Sequence, residues 1–170
     1  MRMTDDELAH YIKLFHRNVL GAALCYVKNT SDAEDITQEV FLKLYTYNGR
    51  FESDEHIKAW LLRCAINMSK NLLRSHWYRF SQPLEAAGEK VHYDVGERDG
   101  LLRLMSKITK KNRIALYMYY YEGYSTSEIA KITGTNENAV AARLNRGRQQ
   151  LRKLLTDERY GSDNELQRFY

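Results

Sequence analysis

Arg143, Arg146 and Arg148 stand close together late in the chain, with Arg152 and Lys153 just behind them. A guanidinium binds a phosphate or forks onto the edge of guanine, so arginines repeated along one helix suit duplex DNA. A second set mixes Arg50, Arg63, Lys70 and Arg74 with Asn67, Asn71 and Phe51. Amides bond to base edges, cations hold the backbone, and an aromatic ring can hold an unstacked base. A third set has the opposite sign: Asp32, Glu34, Asp35 and Glu39, with Gln38 among them. Two readings fit it: a docking face for a basic partner, or an ordinary solvated face with acids near a helix start.

Bond-making chemistry finds no support. The five histidines (10, 16, 56, 76 and 92) are scattered and form no HxxH or HExxH pair. Cys25 and Cys64 fall at apolar positions of helical patterns, where a free thiol packs as a small hydrophobe. No nucleophile–base pair or phosphate loop appears, so the expectation is no catalytic residue, no metal and no cofactor. The chain opens on a charged amphipathic segment without a signal-peptide core, and no apolar run reaches the roughly 18 residues that span a bilayer. It reads as cytoplasmic, with no membrane insertion. A net charge of +4 over 170 residues is only mildly basic, but its distribution says more. Residues 101–156 hold eleven Lys or Arg against three acids, whereas residues 31–56 hold seven acids against two bases. A chain divided in this way meets partners of opposite sign at different places.

The elements that must position these residues are all helical. Thr4-Asp5-Asp6-Glu7 is a capping box opening a helix with Leu8, Tyr11, Ile12, Phe15, Val19, Ala22, Ala23 and Tyr26 inside. Asn29-Thr30 breaks it, and Ser31-Asp32-Ala33-Glu34 predicts a second box before Ile36, Val40, Phe41 and Leu44. Asn48-Gly49 ends that helix. Ser53 predicts the N-cap of a third helix over about residues 54–78, with Ile57, Leu61, Cys64, Ala65, Met68 and Leu72 inside. Its polar side carries no acid from Ile57 to Arg79. Residues 80–100 hold the only proline, three of the nine glycines and no apolar period, so they read as a flexible linker. At ~3.3 Å per residue it could stretch to roughly 65–70 Å. Beyond it, Leu101, Leu102, Met105 and Ile108 begin a second unit, over 101–156, followed by a polar tail, 157–170. No strand alternation or internal repeat is present. The expectation is an all-α protein of two small helical domains, 1–79 and 101–156.

In the second domain the spacing from Ser125 to Leu144 fits a helix-turn-helix. Ser125-Thr126-Ser127-Glu128 is a third capping box, and Ala130 is small where two helices cross. Gly134 supplies the positive φ of the tight turn, and Val140 returns an apolar side chain to the same core. The arginines then lie on the helix after the turn, where a recognition helix carries them. The competing reading is an αα-hairpin with a solvated basic face. Of the tyrosines at 117, 119, 120, 121 and 124, helical spacing places 117, 121 and 124 in or near the core rather than against bases.

Two stretches carry a family resemblance. Asp32 through Tyr45, then Arg50-Phe51 and Ala59-Trp60-Leu61-Leu62-Arg63-Cys64-Ala65-Ile66-Asn67, resemble the second conserved region of sigma factors, nearest the compact extracytoplasmic-function (ECF) type. Arg113-Ile114-Ala115-Leu116, Tyr121-Glu122-Gly123-Tyr124-Ser125, Glu128-Ile129-Ala130, Arg143-Leu144 and Arg146-Gly147-Arg148 resemble their fourth region. The resemblance implies a sigma factor that binds core RNA polymerase and directs promoter-specific initiation. Asp32, Asp35, Gln38, Glu39 and Leu42 would dock on the clamp helices of the largest subunit. Arg50, Phe51, Arg63, Asn67, Lys70, Asn71 and Arg74 would read and help open the −10 element and capture a flipped base. Asn136, Asn138, Arg143, Arg146 and Arg148 would serve at the −35 element, with that domain on the flap of the second-largest subunit. An anti-sigma factor is a further partner that many members of the family have.

The chain departs from the family in two places. Ile108-Thr109 stands where Leu-Pro is usual, so a different start to the following helix is expected. Asn138-Ala139-Val140-Ala141-Ala142 replaces Gly-Thr-Val, a basic residue and Ser, leaving two methyls where DNA-contacting side chains are usual. Affinity there would lean on Arg143, Arg146 and the helix start with Asn136 and Asn138. The alternative to a sigma factor is a stand-alone helix-turn-helix regulator whose N-terminal domain senses or dimerises.

Overall fold

Short polar side chains three residues ahead of a backbone N–H fix where most of these helices begin. The computed structural model describes residues 3–27, 29–75 and 104–156, in which every regular element is helical. The expected linker 80–100, the tail 157–170, Trp77, Tyr78, Leu101 and Leu102 lie outside the described residues. The chain divides into two units between residues 91 and 92, inside the segment read as a linker.

The first unit contains α1 (Asp5–Leu24), α2 (Thr30–Thr46) and α3 (Asp54–Arg74). Thr4 and Glu7 make the expected reciprocal box: Thr4 Oγ1 accepts the Glu7 N–H at 3.2 Å, and Glu7 Oε2 accepts the Thr4 N–H at 2.8 Å. The box expected at Ser31 does not form. Asn29 is extended and caps α2, its Oδ1 accepting the Asp32 N–H at 2.7 Å while its Nδ2 donates to Asp32 Oδ2 at 2.7 Å. Ser31 therefore lies within the first turn, and Glu34 faces His16 at 3.3 Å instead of reaching back. Ser53 caps α3 as expected, accepting the His56 N–H at 3.1 Å. The helix ends at Arg74, with Ser75 as C-cap, short of the expected residue 78.

Hydroxyls tie the helices together at the start of α1. Tyr45 Oη donates to Asp5 at 2.8 Å, joining the end of α2 to the start of α1. Tyr11 Oη donates to Asp54 at 3.2 Å, joining α1 to the first residue of α3. The three helices thus run up, down and up. Their core is Phe15, Val19, Ala22 and Ala23 with Ile36, Val40, Phe41 and Leu44 and with Ile57, Leu61, Leu62, Ala65 and Ile66. A fully buried large apolar side chain contributes about 1.5–3 kcal/mol relative to an exposed one. The expected inner stripe of α3 needs correction. Leu62, Ile66 and Ser69 are buried, while Cys64, Met68 and Leu72 are only half-buried. Packed against both α1 and α2, this helix buries an arc wider than one stripe. Ile12 is likewise exposed rather than inside. Buried Thr37 and Ser69 donate their hydroxyls to the carbonyls of Ala33 and Ala65, at 2.8 and 2.7 Å, so neither is left without a bond.

In the second unit, helical residues 104–105 and a turn over 106–107 precede α4 (Lys110–Leu116), which passes into a π-helical turn, Tyr117–Tyr121. Then come α5 (Thr126–Thr133) and α6 (Glu137–Thr156). Thr109 precedes α4 with φ −58° and ψ 143° and no side-chain cap bond. Arg113 braces this start. Its Nε donates to Met105 O at 2.7 Å, and its Nη2 donates to Ser106 O and Ile108 O at 2.8 and 2.6 Å. Tyr117 and Tyr124 are buried as expected, and Tyr121 is half-buried; Met118 is buried beside them.

The helix-turn-helix forms as the spacing requires. Ser125 and Glu128 make the reciprocal box of α5, at 3.2 and 2.8 Å. Gly134 adopts φ +69°, a left-handed conformation that costs a glycine little, and the Thr135 N–H closes the turn on Ala130 O at 2.9 Å. Val140, Leu144, Gly147 and Leu151 form the buried side of α6 against α4 and α5.

Candidate nucleic-acid and partner interfaces

Asp35, Gln38, Glu39 and Leu42 are all exposed on α2 at offsets of three and four residues, so they share one face. Leu42 is 61% exposed, the most exposed of the large apolar side chains described. Burial of this side chain therefore adds little to folding. Asp32 differs from the other four, because it is half-buried and gives one carboxylate oxygen to Asn29.

Phe51 does not stand alone in the α2–α3 loop. Its ring lies 5.1 Å from that of Tyr47, 5.4 Å edge-on from His56 and 5.7 Å edge-on from Trp60. Tyr47 and Trp60 are 5.0 Å apart, so four rings form one cluster at the end of the unit. Tyr47 lies over the backbone of Gly49 so closely that a Cβ there would stand 2.3 Å from the ring. His56 Nδ1 accepts the Glu52 N–H at 3.3 Å and pins the loop onto α3. Sequence reasoning singled out Phe51 and missed Tyr47, His56 and Trp60. Aromatics clustered on either side of Phe51 were the available signal.

Beside this cluster, Arg50 is exposed, and Arg63, Asn67, Asn71 and Arg74 lie exposed along one side of α3. Lys70 belongs to the same side but is half-buried. These side chains form a continuous cation-and-amide surface. Cys64, next to Arg63, is half-buried; burial pushes its thiol up, against the opposing pull of Lys43 and Arg63. It packs rather than reacts, as does buried Cys25.

On α6 the candidates separate. Asn136 uses its Oδ1 to accept the Ala139 N–H at 2.8 Å, so it caps the helix. Asn138 and Arg146 are exposed, and half-buried Arg143 lies one turn before Arg146 on the same side. Arg148 turns another way. Its Nε donates to Tyr120 Oη at 2.8 Å, its Nη1 donates to Asn145 Oδ1 at 3.1 Å, and its guanidinium stands over the Tyr119 and Tyr120 rings. Among the described residues no group of three or more His, Cys, Asp or Glu is placed to hold a metal. No described helix is long and apolar enough to cross a membrane.

Comparison with known proteins agrees with this division. Residues 11–79 match the family described as Sigma-70 region 2, and residues 98–151 match Sigma-70, region 4. The ECF RNA polymerase sigma factor SigW of Bacillus subtilis (strain 168) is 30% identical, over 90% of this chain and 91% of its own. The probable RNA polymerase sigma factor RfaY of Xanthomonas campestris pv. campestris is 27% identical over 81% of this chain, which spans only 37% of that longer protein. Among solved structures, the sigma factor RpoE of Bartonella quintana, crystallised with the anti-sigma factor NepR, shares the fold. The TM-score is 0.69 at 20% identity, covering 88% of this chain and 97% of that one.

Proposed function

The chain belongs to the sigma-70 family as a sigma factor of the ECF type, and from that premise we propose how its surfaces divide the work of directing RNA polymerase to promoters. The α2 face of Asp35, Gln38, Glu39 and Leu42, with Asp32 at its edge, grips the clamp helices of the polymerase's largest subunit. Leu42 supports this reading most directly, because a mostly exposed leucine on the same face as Asp35, Gln38 and Glu39 suits a basic protein surface with an apolar notch. The aromatic cluster around Phe51 and the cation-and-amide side of α3 take the −10 element. Arg50, Arg63, Lys70 and Arg74 hold phosphates, Asn67 and Asn71 address base edges, and Phe51 receives a base that leaves the stack.

The second unit addresses the −35 element through α6 while resting on the flap of the second-largest subunit. Arg146, Arg143 and Asn138 meet the duplex, and the capped helix start beside Asn136 favours a phosphate. Its work is binding, in the cytoplasm where polymerase acts, and no bond-making step is assigned to it. An anti-sigma factor is included among its partners because RpoE of Bartonella quintana was crystallised with one.

The observation that carries this reading is the pairing, within one small unit, of an acidic face holding an exposed leucine with an opposite-signed α3 face. A stand-alone operator-binding regulator needs no such pair. The deciding experiment is footprinting of the full chain with and without core RNA polymerase, followed by run-off transcription. Protection of two elements only in the presence of core enzyme is expected. Tight protection of a palindromic site by the chain alone would replace this reading with the regulator.

A further inference from the structure

Arg146 and Arg148 are two residues apart on α6. At about 100° per residue, their side chains leave the helix on opposite flanks of the buried row Val140–Leu144–Gly147–Leu151. Arg143 shares the flank of Arg146, whereas Asn145 shares that of Arg148. A helix lying in a major groove has a phosphate strand along each flank. One flank here is exposed at Arg146; the other is built.

The building begins in α4. Its ladder widens to a π-helical turn at Tyr117–Tyr121, a feature often found at functional sites. In that turn Tyr119 and Tyr120 both meet α6, their rings edge-on at 4.9 Å. The Arg148 guanidinium sits 5.8 and 5.7 Å from the two ring centres, with Nε bonded to Tyr120 Oη and Nη1 to Asn145 Oδ1. Both acceptors are neutral, and among the described residues no carboxylate forms an ion pair with Arg148. Among the described residues, two of its five N–H groups are used and three remain. Folding has therefore already immobilised a side chain that ordinarily loses ~2 kcal/mol of rotamer entropy on binding, and among the described residues no carboxylate neutralises its charge. Such a group fits an anion with several acceptor oxygens.

We infer that Arg148, positioned by Tyr120 with Tyr119 and Asn145, is a preset clamp for a backbone phosphate on the DNA strand opposite the one approached by Arg143 and Arg146. This rests on the −35 reading of α6 and adds the strand, the ligand group and Tyr120 as a positioning residue. Contact with a phosphate carries no base information, so the clamp strengthens every promoter alike.

The test uses the full chain assembled with core RNA polymerase, binding a promoter duplex over about 50–200 mM salt. Arg148→Gln should flatten the slope of log affinity against log salt by about 0.9 and weaken binding roughly tenfold, equally on promoters that differ in −35 sequence. Tyr120→Phe keeps the charge but loses the acceptor, and should weaken binding several-fold at ~0.15 M salt. Arg148→Lys should restore the slope but not the full affinity. Thermal unfolding of the variants separates folding from contact: a slope unchanged in Arg148→Gln, whatever the melting temperature does, overturns the clamp. Arg146→Ala is the parallel control. If it too leaves promoter binding intact, the −35 reading has failed; if it alone weakens binding, only the clamp has.

Discussion

Gly147 of α6 stands against Leu116 of α4 so closely that a Cβ on the glycine would lie 2.8 Å from the leucine Cδ1 and 3.0 Å from its Cγ. The contact sets how near α6 approaches α4, and with it the reach of Tyr120 to Arg148. Both residues are buried, so the leucine has little room to yield. Gly147→Val should destabilise the second unit by about 1–3 kcal/mol despite replacing a mid-helix glycine. Urea unfolding of the single variant and of a double variant with Leu116→Ala should show less than additive losses, and additivity would sink the contact as the cause.

Arg113 offers its fork to three carbonyls that close the turn before α4. A lysine has a single ammonium and cannot span them. Arg113→Lys should therefore cost about 1–3 kcal/mol, close to the cost of Arg113→Ala. A lysine variant as stable as the parent would show that charge alone suffices there.

Leu42 contributes almost nothing to folding because it is mostly exposed. Leu42→Asp should leave the unfolding free energy within about 0.5 kcal/mol of the parent and weaken core-polymerase association roughly tenfold or more. Asp35→Arg should act in the same direction. Normal co-purification of both variants with core enzyme would remove α2 from the docking surface.

Phe51→Ala should lower open-complex formation far more than closed-complex binding, since its partner would be an unstacked base. Permanganate reactivity near the start site measures this. Equal loss at both stages would mean that the ring only supports the loop through Tyr47, His56 and Trp60.

The Ser125 N–H, bonded to the Glu128 carboxylate at 2.8 Å, holds that carboxyl below its ordinary value of 4.5, with the Ser125 hydroxyl and Lys131 helping. A lowered folded-state value means that stability is fully present above the unfolded-state value and is lost as pH falls through the folded one. The parent should lose stability below about pH 4.5 more steeply than Glu128→Gln, which keeps an acceptor without titrating. Ser125→Ala should cost about 1 kcal/mol at neutral pH. Acid unfolding curves that superimpose would dismiss the carboxylate's part. Because Glu128 is solvent-exposed, the pH effect is small.

Much of this protein was legible in local signals. Thr4-to-Glu7 and Ser125-to-Glu128 are reciprocal caps whose bonds close over three residues, so the chain itself dictates them. Gly134 and the Ala130–Val140 spacing likewise specify the helix-turn-helix, because a left-handed turn between short helices leaves few choices. Two family signatures in order made the family readable before any coordinates.

What failed in sequence reasoning depended on neighbours distant in the chain. Ser31 and Asn29 both offer a cap, and the choice fell to Asn29, with Glu34 engaged by His16 of α1. The inner face of α3 turned toward Leu62 and Ile66 because two helices, not one, cover it. Tyr47, Phe51, His56 and Trp60 span fourteen residues and become one surface only when the loop folds back over Gly49. Arg148 reads in sequence like Arg146. Its orientation was decided by a tyrosine twenty-eight residues away, since a charged side chain settles where acceptors and ring faces converge, and only the packing of α4 on α6 brings them there.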